Sequence, residues 1–298
     1  ISPYYDDFSE DKNFYKVLFK PGYPVQAREL TTLQSILQNQ IESFSNNIFK
    51  EGSMVLPGSI TYDNEYSAVK LNAINLGIDI SLYIKNFIGK TIIGQSSGVT
   101  AVVKNVVLTG ESDLVEDLTI YVKYSQAGND TESAIFEDGE SLIATENVTY
   151  GSITIPSGTS FATLVSLNAT ATGAAASIDN GVYYVRGFFV NVSKQTLILD
   201  YYTNTPSYRV GLKISETTVN AKDDESLNDN AKGFTNFAAP GADRFKIALT
   251  LTKKSLSDFN DTDFIEILRV DDGKVKKVVD KTVYNIIRDY IAERTFDE

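Results

Sequence analysis

The sequence predicts a mainly β fold of the α+β type, with several small β-sandwich or barrel-like modules, one long N-terminal helix and a C-terminal hairpin and helix. Two observations lead to this prediction. The chain has 16 Phe and 17 Tyr, and aromatic residues, together with Thr, Val and Ile, favour strands. From Ser53 to about residue 250, short apolar runs alternate with turn residues, which is typical of strands joined by tight turns.

The first 25 residues form an aromatic, extended arm that ends in a turn at Pro21-Gly22 and Pro24. Two interpretations remain open for this arm. It is a strand or loop that lies on the protein's own core, or it docks on a neighbouring subunit.

A long helix is predicted from Ala27 to Lys50, because apolar residues recur at spacings of three and four and Gly52 follows as a stop signal. The other faces carry mostly Gln and Asn, where a solvent-facing helix normally shows Lys and Glu. We therefore hypothesise that the helix self-associates around a symmetry axis, for example in a trimer. The alternative is an amphipathic helix packed on its own sheet. The candidate oligomer interface consists of the apolar residues Leu30, Leu33, Leu37, Ile41, Phe44 and Ile48.

Composition divides the chain into four expected segments. Residues 1–83 hold the arm, the helix and the first strands, and residues 84–150 form an inserted small all-β module with frequent glycines. Residues 151–180 are rich in small residues, and a flexible linker is favoured for Ser157–Ser177 over a stretch packed between subunits. Residues 181–298 form a β-rich domain, and we expect the chain to continue beyond Glu298.

The last segment is predicted in more detail. Its hairpin turns at Asp271-Asp272-Gly273, where Asp-Gly supplies positive φ angles, and a helix over Lys281–Glu293 begins at the N-cap Asp280. Residues Ala221–Ala242 are polar and indicate a loop. Strands are expected at Val182–Val192, Thr196–Tyr202, Tyr208–Ile214, Arg244–Thr252, Phe264–Val270 and Lys274–Val279.

The residue types that are absent restrict the chemistry. The chain has no His and no Cys, which excludes Ser-His-Asp and Cys-His catalysis and zinc sites built on these ligands. The net charge of −12 argues against a nucleic-acid partner. No apolar run is long enough for a membrane span. We predict no catalytic residue, no cofactor and no metal.

Carboxylates are the remaining candidates for chemistry, as an acid pair of the glycosidase type or as calcium ligands. Solvated loop acids are much commoner than catalytic ones, and the chain lacks the Trp that sugar sites often use. The acids in question are Asp258, Asp261, Asp263 and Glu266 in one group, and Asp223, Asp224 and Glu225 in another.

Eight strings of the sequence are distinctive. They are Pro3–Phe8, Phe19–Gly22, Gln26–Leu30, Gln34–Ile41, Gly181–Gly187, Asn204–Leu212, Ala239–Phe245 and Arg294–Glu298. These strings resemble a family of virion structural proteins of large tailed phages, including cyanophage myoviruses. The resemblance covers most of the chain except the inserted module and the small-residue tract.

The resemblance implies a structural, non-enzymatic subunit of the phage tail, baseplate or fibre apparatus, located in the virion. Its partners would be further copies of itself and other tail, baseplate or fibre proteins. A host receptor- or glycan-binding fibre protein is the alternative, with loops near Tyr201-Tyr202 or Ala221–Phe237 touching the glycan. A carboxylate-dependent tail-spike hydrolase comes third.

Overall fold

A computed structural model describes residues 4–56, 58–109, 117–128, 134–279, 281–284 and 286–297. Strands hold 44% of the residues and helices 15%, in several antiparallel sheets, so the prediction of a mainly β fold is confirmed. The helices are α1 (Ala27–Asn46) and α2 (Ile286–Asp297). The predicted N-cap of the last helix, Asp280, lies outside the described residues.

The strands follow one another from residue 54 to residue 278. In chain order they are β1 (Met54–Leu56), β2 (Ile60–Leu71), β3 (Ile74–Asn75), β4 (Ile78–Asp79), β5 (Thr91–Gly94), β6 (Thr100–Val107), β7 (Leu118–Gln126), β8 (Ser141–Ala144), β9 (Val148–Tyr150), β10 (Ile153–Ile155), β11 (Ser160–Thr163), β12 (Thr170–Ile178), β13 (Gly181–Val185), β14 (Phe188–Val192), β15 (Gln195–Asp200), β16 (Tyr208–Val219), β17 (Arg244–Ser255), β18 (Phe264–Asp271) and β19 (Lys274–Val278).

The largest sheet closes partly on itself. Its eight strands run in the order β11-β8-β5-β6-β7-β2-β12-β15. Leu71, the last residue of β2, forms an antiparallel bridge with Leu164, just after β11. Next to it the Asn72 amide donates to the Thr163 carbonyl at 2.9 Å. The first and sixth strands, β11 and β2, therefore meet at one end, so the first six strands curve into a partly closed barrel.

Side chains from alternate strand positions fill the barrel, as the two-residue period of a strand requires. In β6, Ala101 and Val103 are fully buried. The rings of Phe87 and Phe161 stack with their centres 3.9 Å apart. The barrel takes β2 and β11 from outside the predicted module 84–150, and the predicted division into four segments stays a prediction.

A second core lies between the four-stranded sheet β17-β16-β18-β19 and the strands β12 to β15 with β1. Leu212 and Val270 come from the four-stranded sheet, and Ala174, Tyr183 and Leu199 come from the opposite layer. This packing of two layers over apolar inner faces is that of a β-sandwich.

The prediction of a flexible linker over Ser157–Ser177 is wrong, because this tract contains both β11 and most of β12. Residues 170–178 form β12, which pairs with β2 on one side and with β15 on the other. Ala174 and Ala176 of this strand are fully buried. Small residues occur here because neighbouring backbones approach closely: a Cβ on Gly173 would lie 2.6 Å from the Tyr201 carbonyl oxygen.

The single strand predicted over residues 182–192 is also wrong. The structure divides it into β13 and β14, which pair with Val185 opposite Phe188. Arg186 and Gly187 between them have φ angles of 51° and 80°, as a two-residue type I′ turn requires. The predicted Asp-Gly hairpin is confirmed, since Asp272 and Gly273 connect β18 to β19 with positive φ.

Gly173→Ala should lower the free energy of unfolding by about 1–3 kcal/mol, because the added methyl group would meet two backbone carbonyl oxygens that cannot move aside. Urea denaturation measures this. Thr172→Ala, at an exposed position of the same strand, is the control and should change little. Equal stability of the two variants would contradict the close approach of the backbones at β12.

Candidate functional site

One face of α1 rests on the body of the protein through polar contacts. The Gln38 side-chain amide donates to the Gly187 carbonyl at 2.7 Å. The Tyr184 hydroxyl donates to the Asn46 side-chain oxygen at 2.8 Å. Ser45, which directly precedes Asn46, is also buried.

The N-terminal arm covers a second face of α1. Asp6 accepts hydrogen bonds from the hydroxyls of Thr32 and Ser35. Asn39 donates to Glu10 one turn further along the helix. Desolvation acts to raise the pKa of Asp6, but the bonds from Ser35, Phe8 and Thr32 outweigh it and lower the pKa. The start of the arm therefore lies on its own helix.

The third face of α1 is apolar and uncovered. The helix predicted to run to Lys50 ends at Asn46, so five of the six residues of the predicted interface lie in α1 and Ile48 follows it. With 3.6 residues per turn, these five fall within an arc of about 80°; together with Ile48 they are here called the stripe. Four of them are exposed, Leu37 to 58% and Phe44 to 70%, and Leu33 and Ile48 are half-buried. The buried residues of α1 are Thr32, Ile36 and Ser45. The exposure of these four side chains argues against the alternative in which the stripe packs on the protein's own sheet, and the predicted interface stays a prediction.

The arm between Asn13 and Val25, here called the arm loop, is uncovered as well. Its aromatic and aliphatic side chains point away from the body, Leu18 being 78% and Phe19 46% exposed. The loop contains two lysines and no acidic residue. Apolar surface of this extent, in two neighbouring segments, is typical of an interaction site.

The turn at Arg186 and Gly187 positions α1, and sequence reasoning missed it. The Arg186 guanidinium donates to Glu216 at 2.6 Å and also to Asp263. Its backbone amide donates to the Glu51 carboxylate at 2.9 Å, just beyond the helix. The dipeptide Arg186-Gly187 between two aromatic runs could have indicated this turn. An arginine with positive φ is uncommon, however, so the pattern predicted a continuous strand.

Three of the four acids in the 258–266 group are held by two different arginines. Glu266 and Asp261 both accept from Arg209, whose side chain is 3% exposed, whereas Asp263 accepts from Arg186. The group is therefore divided between two ion-pair networks. In the second group, Asp223 accepts from the Asn220 amide and Asp224 from the Ser226 amide, which are local turn contacts.

Glu266 is the most strongly perturbed of these acids. It is only 6% exposed and accepts from Arg209, Arg269 and Lys277. Burial acts to raise its pKa, but the three cationic donors outweigh this and lower the pKa to about 2. Its carboxylate stabilises the four-stranded sheet.

The described part of the chain contains neither a metal-binding cluster nor a membrane-spanning helix. Residues 4–56, 58–109, 117–128, 134–279, 281–284 and 286–297 contain no group of three or more His, Cys, Asp or Glu side chains that could hold a metal ion. No helix among those residues is both long and apolar enough to span a membrane.

Comparison with known proteins gives one match. A family model described as Domain of unknown function (DUF4815) matches residues 2–114 and 124–298. No curated protein and no solved structure matches the chain.

Glu266→Gln should lower the free energy of unfolding at pH 7 by about 3 kcal/mol, because it leaves the buried Arg209 with less compensating charge. Since the pKa of Glu266 is lowered on folding, its contribution is fully present above about pH 5 and is lost as the pH falls towards 2. The variant should therefore show a shallower loss of stability across this window.

Denaturant unfolding at several pH values measures both effects. Asp258→Asn is the control, because the Asp258 side chain is 44% exposed and its carboxylate oxygen lies 3.7 Å from the Lys254 nitrogen, a pair worth less than about 1 kcal/mol. An unchanged pH profile in Glu266→Gln would contradict the lowered pKa.

Proposed function

The chain belongs to the family described as Domain of unknown function (DUF4815), and from this premise we propose that it is a structural subunit of a tailed-phage virion. It assembles in the tail, baseplate or fibre apparatus and joins neighbouring components, without catalysis. Its location is the virion. The observation on which this proposal rests is the apolar stripe of α1, which faces away from the rest of the chain.

The contacts of α1 explain why the stripe needs a partner. Gln38 and Asn46 bind the body, and Thr32 and Asn39 bind the arm. These contacts fix the rotation of the helix about its axis. The stripe therefore cannot turn inward without breaking them, whereas a partner molecule can cover it with all of them intact.

The borders of the stripe suit a buried contact. Gln34 and Gln40, both exposed, flank it, and amides can bond across an interface without the desolvation cost of a charge. Interfaces of permanent assemblies often exceed about 2,000 Å² and resemble a protein core. A contiguous apolar face, extended by the arm loop, supplies surface of this kind, and the net charge of −12 keeps unassembled copies soluble.

The resemblance to tailed-phage virion proteins supports the same proposal. Several of the strings that carry it lie at the positions just described. Gln34–Ile41 forms the middle of α1, and Gly181–Gly187 includes the turn that positions α1. The partners we propose are further copies of this chain and other tail, baseplate or fibre proteins.

A second candidate function, binding of a host-surface glycan, is favoured by the loop between β16 and β17. Phe234 and Phe237 are exposed there, and Asp229 exchanges backbone hydrogen bonds with Ala238 and Ala239 across the loop. At the other predicted loop, the Tyr121 hydroxyl donates to the Tyr201 carbonyl. The hydrolase candidate gains no support, because Asp263 and Glu266 are bound to arginines.

Glycan binding and assembly can be separated by two variants. If the second function holds, the Phe234→Ala, Phe237→Ala variant should lose binding to a host-surface polysaccharide in a glycan-binding assay, because it removes the exposed rings. A variant of the stripe should retain it. Absence of binding by the unmodified protein would reject this function and leave the assembly proposal intact.

Leu37→Asp combined with Ile41→Asp should abolish self-association, because two buried carboxylates would lack partners at the interface. Light scattering measures the mass, and circular dichroism shows whether the variant remains folded. Both positions are exposed in the single chain, so folding should be retained.

The control is Leu167→Asp, the same change at an exposed leucine far from α1 in sequence. It should leave the mass unchanged. The self-association proposal would be rejected by a monomeric unmodified protein, or by a folded stripe variant with the original oligomer mass.

A further inference from the structure

We infer that the arm loop of one copy covers the stripe of a second copy, so that neighbouring subunits exchange their arm loops. This inference rests on the proposed function, since it names the partner of the same surface. The two segments are consecutive in the chain, both are apolar, and the structure leaves both uncovered.

The arm loop has few ties to its own chain. The Tyr15 hydroxyl donates to Asn13, and the Lys20 ammonium lies 3.5 Å from the Tyr23 hydroxyl, both within the loop. Phe14 and Tyr15 line one side of a cavity of about 270 Å³ next to α1, yet most of each ring remains exposed. The loop runs without regular secondary structure to Lys20 and then turns at Pro21 and Gly22, and its aromatic side chains are exposed.

The chain is held against its own α1 on both sides of the arm loop. Asp6 and Glu10 precede the loop and bind the arm face of the helix. Gln26 follows the loop and forms a capping box with Glu29. The backbone amide of Gln26 donates to the Glu29 carboxylate at 2.8 Å. The loop therefore projects from the N-terminal end of the helix, and with the loop in this position its own stripe stays open.

The loop is long enough to reach onto the stripe of a neighbour. Because both of its ends are held on its own α1, its thirteen residues project at most about half of their extended length, or about 21 Å. The neighbour's α1 has 20 residues and is about 30 Å long. A second copy offers six apolar residues in a band without charged side chains, and the loop offers Phe14, Leu18, Phe19 and Val25 among others.

Charge favours a second copy as the occupant. Lys16 and Lys20 are the charged residues of the arm loop, whereas the chain as a whole has a net charge of −12. A basic segment placed on another acidic copy reduces the mutual repulsion that such a charge causes. An exchange in which each copy gives its loop and receives one forms a closed dimer or ring.

The absence of cysteine allows a background-free cross-linking test. Protein with Leu18→Cys is mixed with size-tagged protein with Leu37→Cys, under conditions that let subunits exchange, and is then oxidised. We expect a disulfide-linked heterodimer that exceeds either homodimer at least fivefold on non-reducing gels. A matched mixture of Leu18→Cys with Leu167→Cys should give none above background.

The double variant Leu18→Cys, Leu37→Cys supplies the second measurement. Covalent dimers or larger rings support the exchange. A disulfide that stays within one chain, or no disulfide, overturns it and shows that the loop lies elsewhere.

A third variant separates this inference from the proposed function. Leu18→Asp combined with Phe19→Asp should reduce the oligomer to monomers, as the stripe variant does. If the stripe variant is monomeric while this loop variant keeps the full oligomer mass, the arm exchange is wrong and self-assembly through the stripe stands. If neither variant changes the mass, the proposed function itself fails.

Discussion

The two residues at the tip of the hairpin between β13 and β14 determine where α1 lies. Both Arg186 and Gly187 have positive φ, so the turn is tight enough for Gln38 of α1 to bond to the Gly187 carbonyl. The Arg186 side chain then joins the turn to Glu216 and Asp263. The polar face of α1 is thereby held inward. As a result the apolar stripe faces outward, and the assembly proposal depends on this orientation.

Ion pairs hold the acidic chain together at specific points. Arg209 lies almost fully buried between Glu266 and Asp261, and its guanidinium lies 5.4 Å from the centre of the Phe259 ring. Buried pairs of this kind are poor sources of net stability but are costly to break. In this protein they fix the position of the four-stranded sheet, so these acids have structural roles.

The mainly β fold and the periodicity of α1 could be predicted, because both depend on local patterns. The direction of the stripe could not, because the contacts that orient α1 come from Tyr184 and Gly187, about 140 residues away in sequence. The tract around Ala174 was misjudged because small residues suit flexible linkers and closely packed strands equally well. Arg186 escaped notice because positive φ is normally expected at Gly or Asn.

One strand joins the two parts of the fold. β12 pairs with the barrel strand β2 over Thr170–Ile178 and with β15 over Ala174–Ile178, and its Ala174 and Ala176 lie in the second core. Separating the barrel from the second core would therefore break the hydrogen bonds between β2 and β12. A substitution that weakens β12 should for this reason affect both parts of the molecule.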